Sequence, residues 1–174
     1  MKKLLVVVDY QNDFIDGALG FAGAEKLAPL IAKKIAEVRA GGGDVAFTLD
    51  THGENYLETS EGKKLPVPHC IKGTDGHRLY PEIAALVSDG DIVLEKPVFG
   101  SAELFDLLRN SDYTDIELCG LVTDICVISN AVLAKTALPE ARVSVSKSLT
   151  ASFDLKKYDA AFAIFDSIQI DVTE

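Results

Sequence analysis

Four kinds of reactive side chain follow short apolar runs in this sequence. Asp9 follows Leu4 to Val8, Asp50 and His52 follow Val45 to Leu49, Glu95 and Lys96 follow Ile92 to Leu94, and Cys126 comes shortly after Gly120-Leu121. A thiol, a carboxylate and an amine are the parts of a nucleophilic site. Cys126 would attack, Asp9 would take the thiol proton, and Lys96 would position and charge the pair. In Thr123-Asp124-Ile125-Cys126 the thiol lies three residues after Thr123, which is able to cap a helix. The free N–H groups and the dipole at a helix start favour thiolate. A lone cysteine is more often a small buried hydrophobe. Cys119, inside an apolar run, and Cys70, beside His69, read that way. Asp9 and Lys96 also make sense as a structural ion pair, because a carboxylate so close to an apolar strand needs a partner.

Asp50-Thr51-His52 puts two ligand types at i and i+2, on one face of an extended chain. His69 lies 17 residues on, after Pro66 and Pro68, which stiffen its approach. One aspartate with two histidines suits Zn²⁺, Fe²⁺ or Mn²⁺ with open coordination positions. Surface histidines without metal are the plainer account of the same spacing. His77 has no such company, and no nucleotide-binding glycine pattern follows a strand: Gly41-Gly42-Gly43 precedes one.

Elements must carry these residues to one place. Leu4 to Val8, Val45 to Leu49, Ile92 to Leu94, Ile116 to Leu121 and Val143 to Val145 read as buried strands, with a last short strand near Ile168 to Val172. Between them, 26–40 carries Leu27, Leu30, Ile31, Ile35 and Val38 on one helical face. Further helices start at Ser101, at Thr123 (running to about Leu138) and at Asp154, the last with Leu155, Tyr158, Ala161, Phe162 and Phe165 inward. Strands alternating with helices predict an α/β parallel sheet covered on both faces, with ligands at the carboxyl ends of its strands. The stretch 51–81 is too long for a plain connection and reads as an active-site loop or lid.

The chain has 174 residues, a one-domain length, and a net charge of −10, which argues against nucleic-acid or anionic-membrane partners. Three cysteines cannot all pair within one chain, and the five-residue apolar run ending at Asp9 is short for a signal sequence, so a cytoplasmic protein is expected.

Val8-Asp9-Tyr10-Gln11-Asn12-Asp13-Phe14, Asp50-Thr51-His52, the segment from Pro68 to Gly76, Glu95-Lys96 and the segment from Gly120 to Val127 together resemble the isochorismatase-like cysteine hydrolases, and within them the nicotinamidase branch. The resemblance spans nearly the whole chain. It implies a three-layer α/β/α domain with a six-stranded parallel sheet of order 3-2-1-4-5-6, and a triad of Cys126, Asp9 and Lys96. It also implies a cis peptide between Leu121 and Val122, and an oxyanion hole from the N–H groups of Val122 and Cys126. Phe14 and Leu121 are implied as substrate contacts. Asp50, His52 and His69 would hold a divalent metal, with zinc foremost and iron or manganese as alternatives, and Glu61 as fourth group before Glu58. The implied substrate is a small amide, nicotinamide first. The other readings are a different small amide, carbamoyl compound or ureide, and a non-catalytic thiol-sensing or binding domain. A homo-oligomer is implied as well. Pro97-Val98-Phe99-Gly100-Ser101-Ala102 and Thr51 depart from the aromatic-rich pattern of that branch, at positions expected to line the substrate.

Overall fold

Five aliphatic residues in a row leave both faces of a strand apolar, and Leu4 to Val8 accordingly lie inside the sheet with no exposed surface. The computed structural model describes residues 2–174. Its elements, in chain order, are β1 (Lys3–Val8), α1 (Asn12–Ile15), α2 (Ala28–Ala40), β2 (Asp44–Asp50), α3 (Pro81–Ala84), β3 (Ile92–Lys96), α4 (Ala102–Arg109), β4 (Asp115–Leu121), α5 (Ile128–Ala137), β5 (Arg142–Ala151), α6 (Leu155–Ser167) and β6 (Asp171–Thr173). The strands form one parallel sheet ordered β3-β2-β1-β4-β5-β6, as the resemblance implied.

Alternate residues of β1 feed the two sides of the sheet. Leu4, Val6 and Val8 pack with Leu104 and Leu108 of α4, Ala131 and Ala134 of α5, and Phe162 and Phe165 of α6. Leu5 and Val7 pack with Ile31, Ile35 and Val38 of α2 and Ile83 of α3. Strand order reverses at β1, whose neighbours are β2 and β4, so the crevice above β1 is the switch point where such sheets bind ligands.

Helix boundaries follow local chemistry where a side chain supplies it. Ser101 caps α4 by accepting from the Leu104 N–H at 3.1 Å, and Asp154 caps α6 by accepting from the N–H groups of Lys156 and Lys157. Thr123 does not cap. Its hydroxyl is engaged by Thr150 Oγ1 at 2.9 Å, and Val122 opens a single π-helical turn, Thr123–Val127, before α5 begins. The segment expected as a helix from 26 starts as a 3₁₀ turn, Ala24–Leu27, and becomes α-helical at Ala28 with Pro29 in its first turn. Leu30 and Leu155, expected inward, are exposed. Leu30 sits one position away from the Leu27, Ile31, Ile35 stripe, and Leu155 is the first residue of α6.

Residues 51–81 fold mainly as turns with one 3₁₀ turn at Tyr56–Glu58; an isolated bridge from His52 to Ile71 ties the region to itself, and one from Leu79 to Gln11 pins it to the body. No helix among the described residues is long and apolar enough to cross a membrane.

Gly120 in β4 has φ +102°, and a Cβ there would overlap the Val8 carbonyl oxygen. Gly120→Ala is therefore expected to lower stability by at least ~2 kcal/mol in urea unfolding, from conformational strain and overpacking together. A loss below ~0.5 kcal/mol would contradict the close approach of β1 and β4.

Candidate active site

The register of the sheet decides which side chains meet. Asp9 follows Val8, which pairs with Thr48 of β2 and Gly120 of β4. Asp50 and Lys96 are direct partners across β2 and β3. Asp9 ends its strand in the left-handed region, with φ 45°, and its N–H still donates to the Thr48 carbonyl at 3.0 Å. Three strands thus deliver Asp9, Asp50 and Lys96 to one rim, and the π-helical turn after β4 brings Cys126 over them.

Lys96 Nζ lies 2.7 Å from Asp9 Oδ2, 3.3 Å from Asp50 Oδ1 and 3.6 Å from Cys126 Sγ, with only 1% of its side chain exposed and none of Asp9's. The Val98 carbonyl accepts a further bond from Nζ at 3.1 Å, and Thr48 Oγ1 donates to Asp9 Oδ1 at 2.7 Å. Burial alone would strip the charge from Lys96. The surrounding Asp9, Cys126 and Asp50 outweigh it and hold the ammonium above the ordinary lysine range. Asp9 is pushed up by burial, with Asp50 adding to the push and Lys96 opposing it. Burial, and next the Asp9 charge, pushes the Cys126 thiol well above its usual range. Burial thus opposes the thiolate that a helix start favours. A carboxylate whose pKa is raised accepts a proton more readily than an ordinary one would.

Asp50 turns its other oxygen to a second cluster. Oδ2 lies 2.9 Å from His52 Nε2 and 3.4 Å from His69 Nε2, and Glu61 Oε1 lies 3.9 Å and 3.6 Å from the same two nitrogens. These four ligand atoms all fall within 4.8 Å of one another. Four ligands at ~2.1 Å around a tetrahedral metal lie about 3.4 Å apart, so the donor set fits a divalent cation. Charge points the same way. Asp9 and Asp50 contact a single buried ammonium, the half-buried Glu61 adds a third carboxylate beside the histidines, and a cation beside Asp50 would offset the surplus. His69 Nδ1 bonds the Val67 carbonyl at 2.8 Å, which leaves Nε2 facing the cluster. Asp50 is held far below the usual carboxylate range, because bonds from His52 and His69 and the Lys96 charge outweigh its burial.

A cavity of about 100 Å³ opens beside both groups. Cys126, Asp50, His69 and Glu61 reach its wall, and Phe14, Leu19, Leu65, Phe99, Val122, Ile125 and Phe153 complete it. Leu121, expected as a substrate contact, is fully buried in the cluster shared with α2 and is not part of the wall. The Leu121–Val122 peptide is cis, as the resemblance implied, and Val122 is on the cavity wall. Glu58 is exposed and outside the ligand cluster, whereas Glu61 is in it. His77 meets Thr51 Oγ1 at 2.8 Å, and Cys70 and Cys119 are fully buried. Sequence reasoning missed Tyr56, whose ring packs edge-on against His52 and His69, and the wall residues Leu19, Leu65 and Phe153, which come from separate turns and carry no motif; Ile125, also on the wall, directly precedes Cys126.

The chain as a whole is similar to known proteins. The sequence model of the isochorismatase domain matches residues 3–174. An isochorismatase family protein of Bacillus subtilis, PncA, is 33% identical over 187 aligned positions, covering 100% of both chains. The crystal structure of nicotinamidase/pyrazinamidase PncA from Bacillus subtilis superposes with a TM-score of 0.88 at 29% identity over 100% of each chain. That of N-carbamoylsarcosine amidase from Thermoplasma acidophilum superposes with a TM-score of 0.83 at 30% identity, over 100% of this chain and 96% of that one. The chain belongs to the isochorismatase family.

Cys126 reaches the cavity wall while Cys70 and Cys119 have no exposed surface. Iodoacetamide applied to the native protein is therefore expected to label Cys126 alone, as read by peptide mass spectrometry. Asp9→Asn, which replaces the carboxylate with a group that cannot take up a proton, should slow that labelling at least ~10-fold. Equal labelling of all three cysteines, or no slowing, would contradict the geometry.

Proposed function

We propose that this chain is a cysteine-dependent amide hydrolase whose substrate is nicotinamide, with nicotinate and ammonia as products. The observation that carries the reading is the approach of Cys126 Sγ to Lys96 Nζ, 3.6 Å apart, on the wall of a small cavity that also presents Asp50, His69 and Glu61.

Asp9 takes the thiol proton, and the sulfur attacks the carboxamide carbon to form the C–S bond. The N–H groups of Val122 and Cys126 are assigned to the resulting oxyanion; such donors contribute about 3–4 kcal/mol each in other hydrolases. Collapse breaks the C–N bond, and Asp9 returns its proton so that ammonia leaves. A water molecule then loses a proton to Asp9 and attacks the thioester carbon. The C–S bond breaks, and the sulfur recovers the proton as thiol. Lys96 stays an ammonium throughout, aligning Asp9 and steadying charge on sulfur.

Asp50, His52, His69 and Glu61 would hold a divalent metal, in this reading zinc, with iron or manganese the alternatives. When bound, such a metal supplies a Lewis-acid contact for a ring nitrogen. Phe14, Phe99 and Ile125 offer apolar surface to the ring, so orientation comes from packing and a few polar points. The nicotinamidase/pyrazinamidase from Bacillus subtilis supports an aromatic amide. The carbamoylsarcosine amidase at 30% identity favours a second reading, a carbamoyl compound. No lysine or arginine is among the cavity-lining residues to meet a substrate carboxylate, which weighs toward the uncharged ring.

The test is ammonia release from a panel holding nicotinamide, pyrazinamide, an N-carbamoyl amino acid and a ureide. Nicotinamide is expected to be turned over fastest, and Cys126→Ala to lose at least ~1,000-fold in kcat with its Tm preserved. Turnover of nicotinamide by the alanine variant at the parent rate would end this mechanism.

Stripping the metal with a chelator should raise KM for nicotinamide or abolish turnover, and zinc addition should restore it. Unchanged kinetics in the verified metal-free protein would contradict the assigned ring contact.

A further inference from the structure

The turn from β1 into α1, Asp9-Tyr10-Gln11-Asn12-Asp13, holds more than the proton acceptor. Gln11 is fully buried. Its side-chain Oε1 accepts from the Asp50 N–H at 2.7 Å, and its Nε2 donates to the Asp50 carbonyl at 2.9 Å and the His77 carbonyl at 2.8 Å. The amide thus grips both backbone groups of Asp50 from the side of β1. It acts as a neighbouring strand would, one step past the point where β1 has turned away. Two residues on, Asp13 Oδ2 accepts from the Cys70 N–H at 2.7 Å and Oδ1 from the Ala18 N–H at 3.1 Å. Cys70 directly follows His69 and has φ 46°, a conformation uncommon outside glycine, so a charge-assisted bond there fixes the backbone that carries His69. Gly76 lets the loop close onto this carboxylate: the Asp13 N–H donates to its carbonyl at 3.1 Å, and a Cβ at 76 would overlap the Asp13 side chain.

We propose that Gln11 and Asp13 are positioning residues of the metal site, Gln11 setting Asp50 and Asp13 setting His69, each through backbone contacts. The inference rests on the metal reading given above. It places the proton acceptor and both positioning groups at alternate residues of one turn, so the alignment of Asp9 and of the ligand cluster are tied to the same five residues. Contacts that orient metal ligands typically change affinity by ~10–100-fold when removed.

The experiment titrates the metal-free full chain with Co²⁺, read by its visible spectrum, and with Zn²⁺ against a chromogenic chelator. Asp13→Ala is expected to raise the Kd for both ions about 10–100-fold and to alter the Co²⁺ bands. Asp13→Asn retains one acceptor and should fall between it and the parent. Gln11→Glu keeps the acceptor for the Asp50 N–H, loses both donors, and should weaken binding in the same direction. Should Gln11→Glu fail to fold, the graded Asp13 series decides. Tyr113→Phe removes a 2.7 Å bond to Asp44 at the opposite end of the sheet and serves as the control, lowering Tm with Kd unmoved. Parent-like Kd and Co²⁺ spectra in both Asp13 variants would overturn the inference while leaving the metal reading intact. A parent chain that binds neither ion would overturn the metal reading and this inference with it.

Discussion

The arrangement depends on one ammonium kept out of water. Lys96 touches two carboxylates and a thiol at once, and each of those groups depends on it in a different way. Burial would neutralise Asp9, and the Lys96 charge opposes that. Without a cation nearby, sulfur in the same pocket would have no counter-charge when it loses its proton. Breaking such a pair from one side is worse than never having it, because the remaining charge stays buried alone, at a cost of about 3–5 kcal/mol. The parallel sheet makes the pair possible by ending three neighbouring strands at one level.

Asp50 links this pair to the second half of the site. One oxygen faces Lys96 and the other faces His52 and His69. A cation held on the histidine side would draw density from the same carboxylate that contacts the ammonium. The group around Lys96 and the cluster around His52 and His69 are therefore electrostatically one unit, although they lie on different chain segments. The apolar cavity wall strengthens both halves by keeping the local dielectric low.

Much of this was legible in the sequence because it rests on local rules. A strand buried on both faces reads as a continuous aliphatic run, and Leu4 to Val8 of β1 is one. Asp154 and Ser101 announced helix starts because a capping side chain acts within three residues. The reactive residues stood at strand ends, and parallel packing brings strand ends together. Thr123 misled because a hydroxyl bonds a distant partner as readily as a near N–H, and Thr150 lies 27 residues away in sequence. For Cys126 the helix dipole was legible, and the burial that opposes it was not. Leu19, Leu65 and Phe153 join the cavity wall through loop geometry, and nothing in their spacing foretells it. Leu121 shows the limit most sharply: one peptide bond separates a core residue from a wall residue.

The most direct measurement is rapid quenching of the reaction with nicotinamide followed by mass analysis of the peptide containing Cys126. The account predicts an acyl adduct on that sulfur within the first turnover of the parent enzyme, and a loss of adduct formation of at least ~100-fold in Lys96→Met. An adduct forming at the parent rate in Lys96→Met, in a folded protein, would contradict the dependence of the thiol on its buried ammonium.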